Sequence, residues 1–314
     1  MTPTSPALNP SRHIKMNRFL SLRAGRLPAL FAAVLLLLAA SSGCEDTPPN
    51  AYVPVPYVEA YLVVDRPIEG VVVLMSQALS QAYEQSAALV RDAEVTIGTD
   101  GATYPLIFSE ADGAYAYPDS TVKVLPATRY TLTVRLKDGT VITAETNTPA
   151  RIEWISGPDN VLQYPSDTTK LFSPDSLRIA WTQGSTKEFL VRVRCLDTLA
   201  YGSLLEPPTE ETNSRTNNLD KFETPESRTF YGTARWGYMQ TTAAPTVWTV
   251  FKWHGRNEVA ILAPDKYFLD WFKLTRFSRS PQFNPEYSNI RGGTGVFGSA
   301  ALVTKEVFLL KRVK

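Results

Sequence analysis

Apolar and polar residues alternate along most of the chain, and this pattern predicts β-strands. The clearest case is 128–137 (TRYTLTVRLK), where every second residue is apolar, as in a strand with one buried and one wet face. Short runs rich in β-branched and aromatic residues at 57–65, 71–77 and 93–99 indicate further strands. Asp-Gly pairs suited to tight hairpins separate such runs. The segment 57–150 is therefore predicted to be an immunoglobulin-like or prealbumin-like β-sandwich.

The strand pattern resumes after a proline-containing connection at 149–175, which predicts a second β-rich domain over 151–314. A polar, proline-punctuated insertion is expected at 202–229. One amphipathic helix is expected near 264–277, because aromatic residues recur there at helical spacing behind a Pro-Asp start. The fold class is thus mainly β. Strands are expected in this domain at 177–181, 189–195, 230–238, 247–253, 258–262, 296–304 and 306–310.

The first 43 residues carry the features of a signal peptide. Several arginines precede an unbroken apolar run at 29–40, and small residues follow it. Twelve apolar residues rise only about 18 Å as a helix, less than the roughly 30 Å hydrocarbon core of a bilayer, so a cleaved secretory signal fits better than a membrane span. Met16 opens a segment of normal signal-peptide length and is the expected true start.

The sequence Ser-Ser-Gly-Cys at 41–44 resembles a bacterial lipobox. The resemblance implies that the chain is cut before Cys44 and that the Cys44 thiol carries diacylglycerol. Several acyl chains hold a protein firmly on a membrane. The expected location is the outer membrane, with exposure either to the periplasm or on the cell surface. An ordinary secretory signal with a coincidental cysteine is the alternative. Residues 44–56 then form a lipidated, proline-rich tether. Glu45 and Asp46 resemble a short surface-export signal of Bacteroidota lipoproteins.

Charge and composition exclude several classes of function. The formal net charge is +1, but 45–150 carries 6 basic and 14 acidic residues, whereas 151–314 carries 21 and 17. After residue 43 the chain holds 27 basic and 31 acidic residues, so it is mildly acidic. It is not expected to bind nucleic acid, because that needs a clustered basic surface. Two histidines and two cysteines are too few for a His-based zinc site or a disulfide scaffold. No metal and no cofactor are predicted.

The sequence context of the two candidate catalytic residues, Cys195 and His254, favours a structural role for each. Cys195 follows apolar residues at strand spacing, so it is expected to be buried and inert. His254, in the sequence KWHGR, is interpreted as a turn histidine, with a general base as the alternative. The sequence contains no G-x-S-x-G motif of a serine hydrolase. A glycosidase-type pair of carboxylates stays an alternative, because its two residues can be distant in sequence. No catalytic residue is assigned, and the chain is not expected to be an enzyme.

An aromatic cluster is the first candidate ligand surface. Aromatic side chains can form an exposed platform for a glycan or peptide, but they are equally suited to a core. The candidates are Trp236, Tyr238, Trp248 and Trp253.

A glycine-rich loop is the second candidate. The tail SNIRGGTGVFGSAAL (288–302) and the opening run YVEAYLVVDRP resemble an uncharacterised family of Bacteroidota outer-membrane lipoproteins, defined only as a domain of unknown function. The matching residues are Asn289, Ile290, Gly293, Gly295, Val296, Phe297 and Gly298, whereas Arg291 and Gly292 depart from the family pattern. The loop is either a structural corner, which its glycines favour, or a ligand loop.

The resemblance implies a two-part, mostly β lipoprotein with no established activity, of a kind that often accompanies TonB-dependent outer-membrane transporters. The leading hypothesis is a non-catalytic, membrane-anchored lipoprotein of the cell envelope that assists such a transporter or binds a glycan or peptide. A structural or adhesive surface lipoprotein is the alternative, and an unrecognised hydrolase is a third. The sequence leaves open whether the protein faces the periplasm or the cell surface.

Overall fold

The structure is a computed structural model that describes residues 52–78, 80, 82–172, 178–196, 200–216, 234–245, 248–276 and 287–312. The signal segment, Cys44, most of the tether and residues 217–229 of the expected insertion lie outside this range. Pro54–Lys314 forms one compact unit. Of the other unit, Met1–Val53, only Tyr52 and Val53 are described, and both are exposed.

The largest sheet joins the beginning of the described chain to its end. Its strands are β1 (Pro56–Val63), β2 (Val72–Met75), β9 (Val161–Gln163), β11 (Phe189–Cys195), β12 (Arg235–Met239), β14 (Gly255–Pro264) and β15 (Thr294–Leu310). Their order is β12-β11-β14-β15-β1-β2, and β9 also pairs with β15. Strand β1 runs parallel to β15, from Tyr57 opposite Thr294 to Val63 opposite Ala300. The first strand therefore pairs with the last one along one edge and with β2 along the other.

A second sheet has five strands in the order β5-β4-β3-β6-β7. They are β3 (Glu94–Gly98), β4 (Thr103–Ser109), β5 (Ala114–Ala116), β6 (Arg129–Arg135) and β7 (Val141–Asn147). In β6 the residues Tyr130, Leu132 and Val134 are buried and alternate with more exposed ones, as the sequence pattern predicts. This sheet packs its buried face against β1, β2 and the start of β15, which gives a sandwich-like arrangement.

The remaining elements are short, apart from one helix. A three-stranded sheet has the order β13-β10-β8, with β8 at Trp154–Ser156, β10 at Arg178–Trp181 and β13 at Ala243–Pro245. The α-helices are α1 (Gln85–Ala88) and α2 (Lys266–Arg276), and 3-10 turns occupy Thr168–Phe172, Gly202–Leu204 and Trp248–Val250. Within the described residues, none of the helices is both long and apolar enough to cross a membrane.

The mainly β fold class is confirmed, and three local expectations are corrected. The expected strand at 247–253 contains a 3-10 turn, because the Phe251 N–H bonds to the Trp248 carbonyl and folds the apolar run back on itself. The two expected strands at 296–304 and 306–310 are one continuous strand, β15, because β14 pairs along it through Lys305. The short helix α1 was not expected.

Two main clusters of buried side chains form the interior. The first consists of residues from β1 to β7 together with Ile290 and Phe297, and the second consists of residues from 152 onwards together with Val64. Strand β15 contributes to both, since Phe297 lies in the first and Leu309 in the second. The domain division at residue 150 stays a prediction, although the pairing of β1 with β15 shows that the two segments share a sheet.

Helix α2 packs against one face of the seven-stranded sheet. Its start is fixed by Asp265, whose Oδ1 accepts the N–H of Phe268 at 2.8 Å, as expected of an N-cap residue. Burial raises the pKa of the Asp265 carboxyl. The apolar side of the helix packs on the sheet through Phe268, Leu269 and Phe272. Helix and sheet approach closely at Gly298, where an added Cβ would lie 2.8 Å from the Phe268 Cβ.

Candidate ligand-binding cleft

A polar cleft of about 370 Å³ lies where the five-stranded sheet, helix α2 and the glycine-rich loop meet. We call it the threonine cleft. The side chains that characterise it are Thr131, Thr133, Thr143, Glu145, Tyr267 and Arg291. Its volume falls within the range of small-ligand sites, although most such sites have a more apolar lining.

The floor of the threonine cleft is the wet face of the sheet. Thr131 and Thr133 alternate with buried residues along β6, and Thr143 and Glu145 do the same along the neighbouring strand β7. Thr133 lies directly opposite Thr143, and Thr131 opposite Glu145. The same alternation that builds the core therefore places hydroxyl groups and a carboxylate side by side on the outer surface.

The segment 289–291 forms a second wall, and its backbone extends the sheet. Arg291 and Thr143 exchange two backbone hydrogen bonds of 2.8 and 3.0 Å. The Asn289 amide donates to the Glu145 carbonyl at 2.7 Å and to the Phe297 carbonyl at 2.8 Å, and its Oδ1 accepts the Phe297 N–H at 2.9 Å. Asn289 thus bridges β7 and β15 and holds this wall in place.

The two charged side chains of the cleft, Glu145 and Arg291, differ in whether they have a partner of opposite charge. Glu145 pairs with Arg129 at 2.7 Å, so its charge is compensated. Arg291 is exposed, and the described part of the chain provides no acidic partner for it. Tyr267 is contacted by the Lys266 ammonium, 5.9 Å from the centre of its ring. The cleft therefore offers hydroxyls, a phenol and an uncompensated guanidinium, which suit a hydroxyl-rich ligand or one with a carboxylate.

The glycine-rich loop acts mainly as a structural corner. Ile290 and Phe297 are buried in the first core. Gly295 has φ +117°, and an added Cβ would lie 1.9 Å from the Val58 carbonyl oxygen; at Gly293 it would lie 2.8 Å from that of Pro56. These glycines let the loop pass close to β1. Of the seven loop residues that match the family pattern only Asn289 lines the cleft, together with Arg291, which departs from that pattern.

The aromatic candidates do not form an exposed platform. Trp253 is 1% exposed and Trp248 is 6% exposed, so the proposal that these two face a ligand is corrected: they fill the interior. Trp236 is half-buried with its ring 4.9 Å from that of Phe272. Tyr238 hydrogen-bonds to Glu188 and lies under the Lys273 ammonium. Their apolar rings are used for packing.

Cys195 and His254 lie in one buried region. Cys195 is buried, and its Sγ donates to the His254 carbonyl at 3.8 Å. The His254 Nδ1 lies 3.0 Å from the Ser214 carbonyl and 3.3 Å from the Ser214 Oγ. If Nδ1 carries a proton and donates it to the Ser214 carbonyl, this nitrogen has no lone pair left. It then cannot also accept a hydrogen bond from the Ser214 hydroxyl. Burial lowers the pKa of His254 to about 4, so the ring is neutral near pH 7.

The sequence missed most of the residues that line the threonine cleft. The sequence pattern places Tyr267 only among the aromatic residues of the predicted helix near 264–277, and the threonines only on the polar face of a predicted strand. The available signal was the threonine-rich wet face of 128–137. Among the described residues, no three His, Cys, Asp or Glu side chains are grouped so that they would hold a metal ion.

Comparison with known proteins identifies the family. Residues 47–306 match the family described as a domain of unknown function (DUF4249), and the chain belongs to this family. No curated protein matches the chain.

Two solved structures are similar to the chain over much of its length. They are a three-immunoglobulin fragment of titin domains I67–I69 in an E-to-A mutated variant, and the I-band fragment I67–I69 from titin. Each shares 10% identity and covers 82% of this chain, with TM-scores of 0.19 and 0.18. The chain spans 66% of each fragment's own length. At these TM-scores the likeness supports no statement about function.

Proposed function

We propose that the protein is a non-catalytic, lipid-anchored, ligand-binding lipoprotein of the cell envelope that works with a TonB-dependent outer-membrane transporter. The observation that carries the ligand-binding role is the threonine cleft, with its uncompensated Arg291 beside hydroxyl groups. A glycan or a peptide is the ligand class that suits these groups, because both present many hydroxyl, amide or carboxylate oxygens.

The anchor and the partner are supported by the sequence. The signal-like segment ends in a lipobox-like Ser-Ser-Gly-Cys, which favours lipidation of Cys44 and an outer-membrane location. The tail Asn289–Ile290 with its Gly-x-Gly-Val-Phe-Gly run resembles that of Bacteroidota lipoproteins, and such proteins often accompany TonB-dependent transporters. A structural or adhesive surface lipoprotein is the alternative.

The anchor and partner are tested together by affinity purification of the tagged full chain from its native membranes in mild detergent. We expect the wild type in the membrane fraction, with a TonB-dependent transporter recovered at near-equal abundance by mass spectrometry. Cys44→Ala should appear in the soluble fraction, because it removes the acylated thiol. If the Cys44→Ala chain stays in the membrane, the lipid anchor is wrong. Recovery of the wild type alone contradicts the transporter partnership and favours the adhesive alternative.

The ligand-binding role is tested by applying the full chain, solubilised in mild detergent, to glycan and peptide arrays. We expect hits that Arg291→Gln weakens by about tenfold, the usual size of one lost charge-assisted hydrogen bond. Arg178→Gln is the matched control, because Arg178 is an exposed arginine on β10 outside the cleft. Hits that respond equally to both substitutions, or an array without hits, would contradict ligand binding in the threonine cleft.

A further inference from the structure

A second cleft, of about 380 Å³, lies on the face of the seven-stranded sheet that carries helix α2. We call it the arginine cleft. Its charged lining residues are Arg66, Glu69, Arg192, Arg194 and Glu258. It shares no lining residue with the threonine cleft.

The strand register explains why the arginines meet here. Arg192 and Arg194 are two residues apart on β11, so both point to the same face, and Arg194 lies opposite Glu258 of β14. The same face is apolar nearer to the helix, where α2 covers Leu190 and Leu262. Beyond the helix the strands change from apolar to charged side chains, and the arginine cleft begins there.

The arginines have more hydrogen-bond donors than the protein satisfies. Both depend on one carboxylate: the Glu258 Oε1 lies 2.5 Å from the Arg192 Nη2 and 3.4 Å from the Arg194 Nη2. The Nε atoms of Arg192 and Arg194 are both buried without a hydrogen-bond partner. The side chains of Arg192 and Arg194 are nevertheless 20% and 40% exposed, so part of each guanidinium reaches the cleft and can donate to an acceptor there.

Arg66 adds a third guanidinium to the cleft. It is exposed, and no acidic residue in the described part of the chain pairs with it. Three guanidiniums against Glu69 and Glu258 leave an excess positive charge. Arginine recognises phosphate and carboxylate through its planar fork of N–H groups.

We propose that the arginine cleft binds a phosphate monoester. A tetrahedral phosphate with three terminal oxygens offers one acceptor to each of the three guanidiniums, whereas a carboxylate offers only two oxygens. The phosphate belongs either to a soluble small molecule or to the headgroup of a lipid. The proposal adds a second site to the protein and does not depend on a ligand in the threonine cleft.

The test is isothermal titration calorimetry of the full chain in mild detergent. One probe is inorganic phosphate, and the other is dihexanoyl phosphatidic acid below its micelle concentration. We expect saturable binding that Arg66→Gln and Arg194→Gln each weaken by about tenfold, because each removes charge-assisted hydrogen bonds. Neither change breaks the Arg192–Glu258 pair. Arg178→Gln, an exposed arginine elsewhere, should leave the affinity unchanged.

Each outcome has a definite meaning. Equal affinity for the two probes indicates a soluble phosphate compound, and much tighter binding of the lipid indicates a headgroup. Binding should weaken as salt is raised, because partly exposed charges are screened. The proposal is overturned if neither probe binds saturably, or if both cleft variants bind as the wild type does. The array experiment reports separately on the threonine cleft, so a failure of either site is recognisable on its own.

Discussion

At the scale of single residues, His254 shows how burial sets chemistry. Its ring lies edge-on to Tyr164 with centroids 5.4 Å apart, and it is 5% exposed. Burial is the main cause of its lowered pKa, and the charges of Lys311 and Arg312 act in the same direction. A side chain that resists protonation in this way is a poor general base near neutral pH, but it makes folding sensitive to acid.

We predict that His254 makes the protein less stable as the pH falls from 6.5 towards 4. The unfolded chain takes up a proton near the ordinary pKa of 6.5, whereas the folded chain does so only at about 4. Folding stability is therefore lost across this window, up to about 3 kcal/mol. Urea denaturation at several pH values measures it.

The matched variant is His254→Gln, which keeps an amide donor for the Ser214 carbonyl but does not titrate. Its free energy of unfolding should fall less steeply with acid than that of the wild type. Carboxylates with lowered pKa values, such as Glu306 beside Arg256, also destabilise the fold when acid protonates them, but they do so in both proteins. The difference in unfolding free energy between wild type and variant therefore reports on His254. Parallel pH profiles for the two proteins would show that His254 is not the cause.

At the scale of elements, strand β15 organises the sheet and positions helix α2. It pairs with β1 along its first half and with β14 along its second. Helix α2 lies on it where Gly298 removes the side chain that would hold the two apart. Because α2 carries Tyr267, this close contact also fixes one wall of the threonine cleft. Gly298 of the loop motif thus influences the shape of the threonine cleft indirectly, because it determines how closely helix α2 approaches the sheet.

We expect Gly298→Ala to destabilise the protein by about 2 kcal/mol, since the added Cβ would meet the Cβ, Cα and N atoms of Phe268 at 2.8 to 2.9 Å. The measurement is the midpoint of urea denaturation. Gly101→Ala is the control, because nothing lies within 4 Å of the added Cβ and its φ is not positive. If both substitutions have the same small effect, the helix does not depend on the glycine.

At the scale of the whole molecule, the sequence predicted what is local. Alternation in 128–137 located strand β6 and its buried face, and aromatic spacing located α2, because both depend on neighbours along the chain. The threonine cleft was not predictable in this way, since β6, Tyr267 and Arg291 meet only after folding. The prediction of a strand around Trp248 is wrong, because Trp248, Val250 and Phe251 do not alternate strictly with polar residues, and such a run does not distinguish a strand from a turn.

The parallel pairing of β1 with β15 also has a mechanical consequence. A pull on the chain before Pro56, directed along the strand, loads the hydrogen bonds between β1 and β15 from Tyr57–Thr294 to Val63–Ala300 together, in shear. Strand β2 on the other edge of β1 shares the load through its pairing from Pro56 to Glu59. A strand held on both edges must slide as a whole before it comes free, whereas a strand peeled from its end releases one bond after another. The point at which the folded unit begins is therefore built to bear tension.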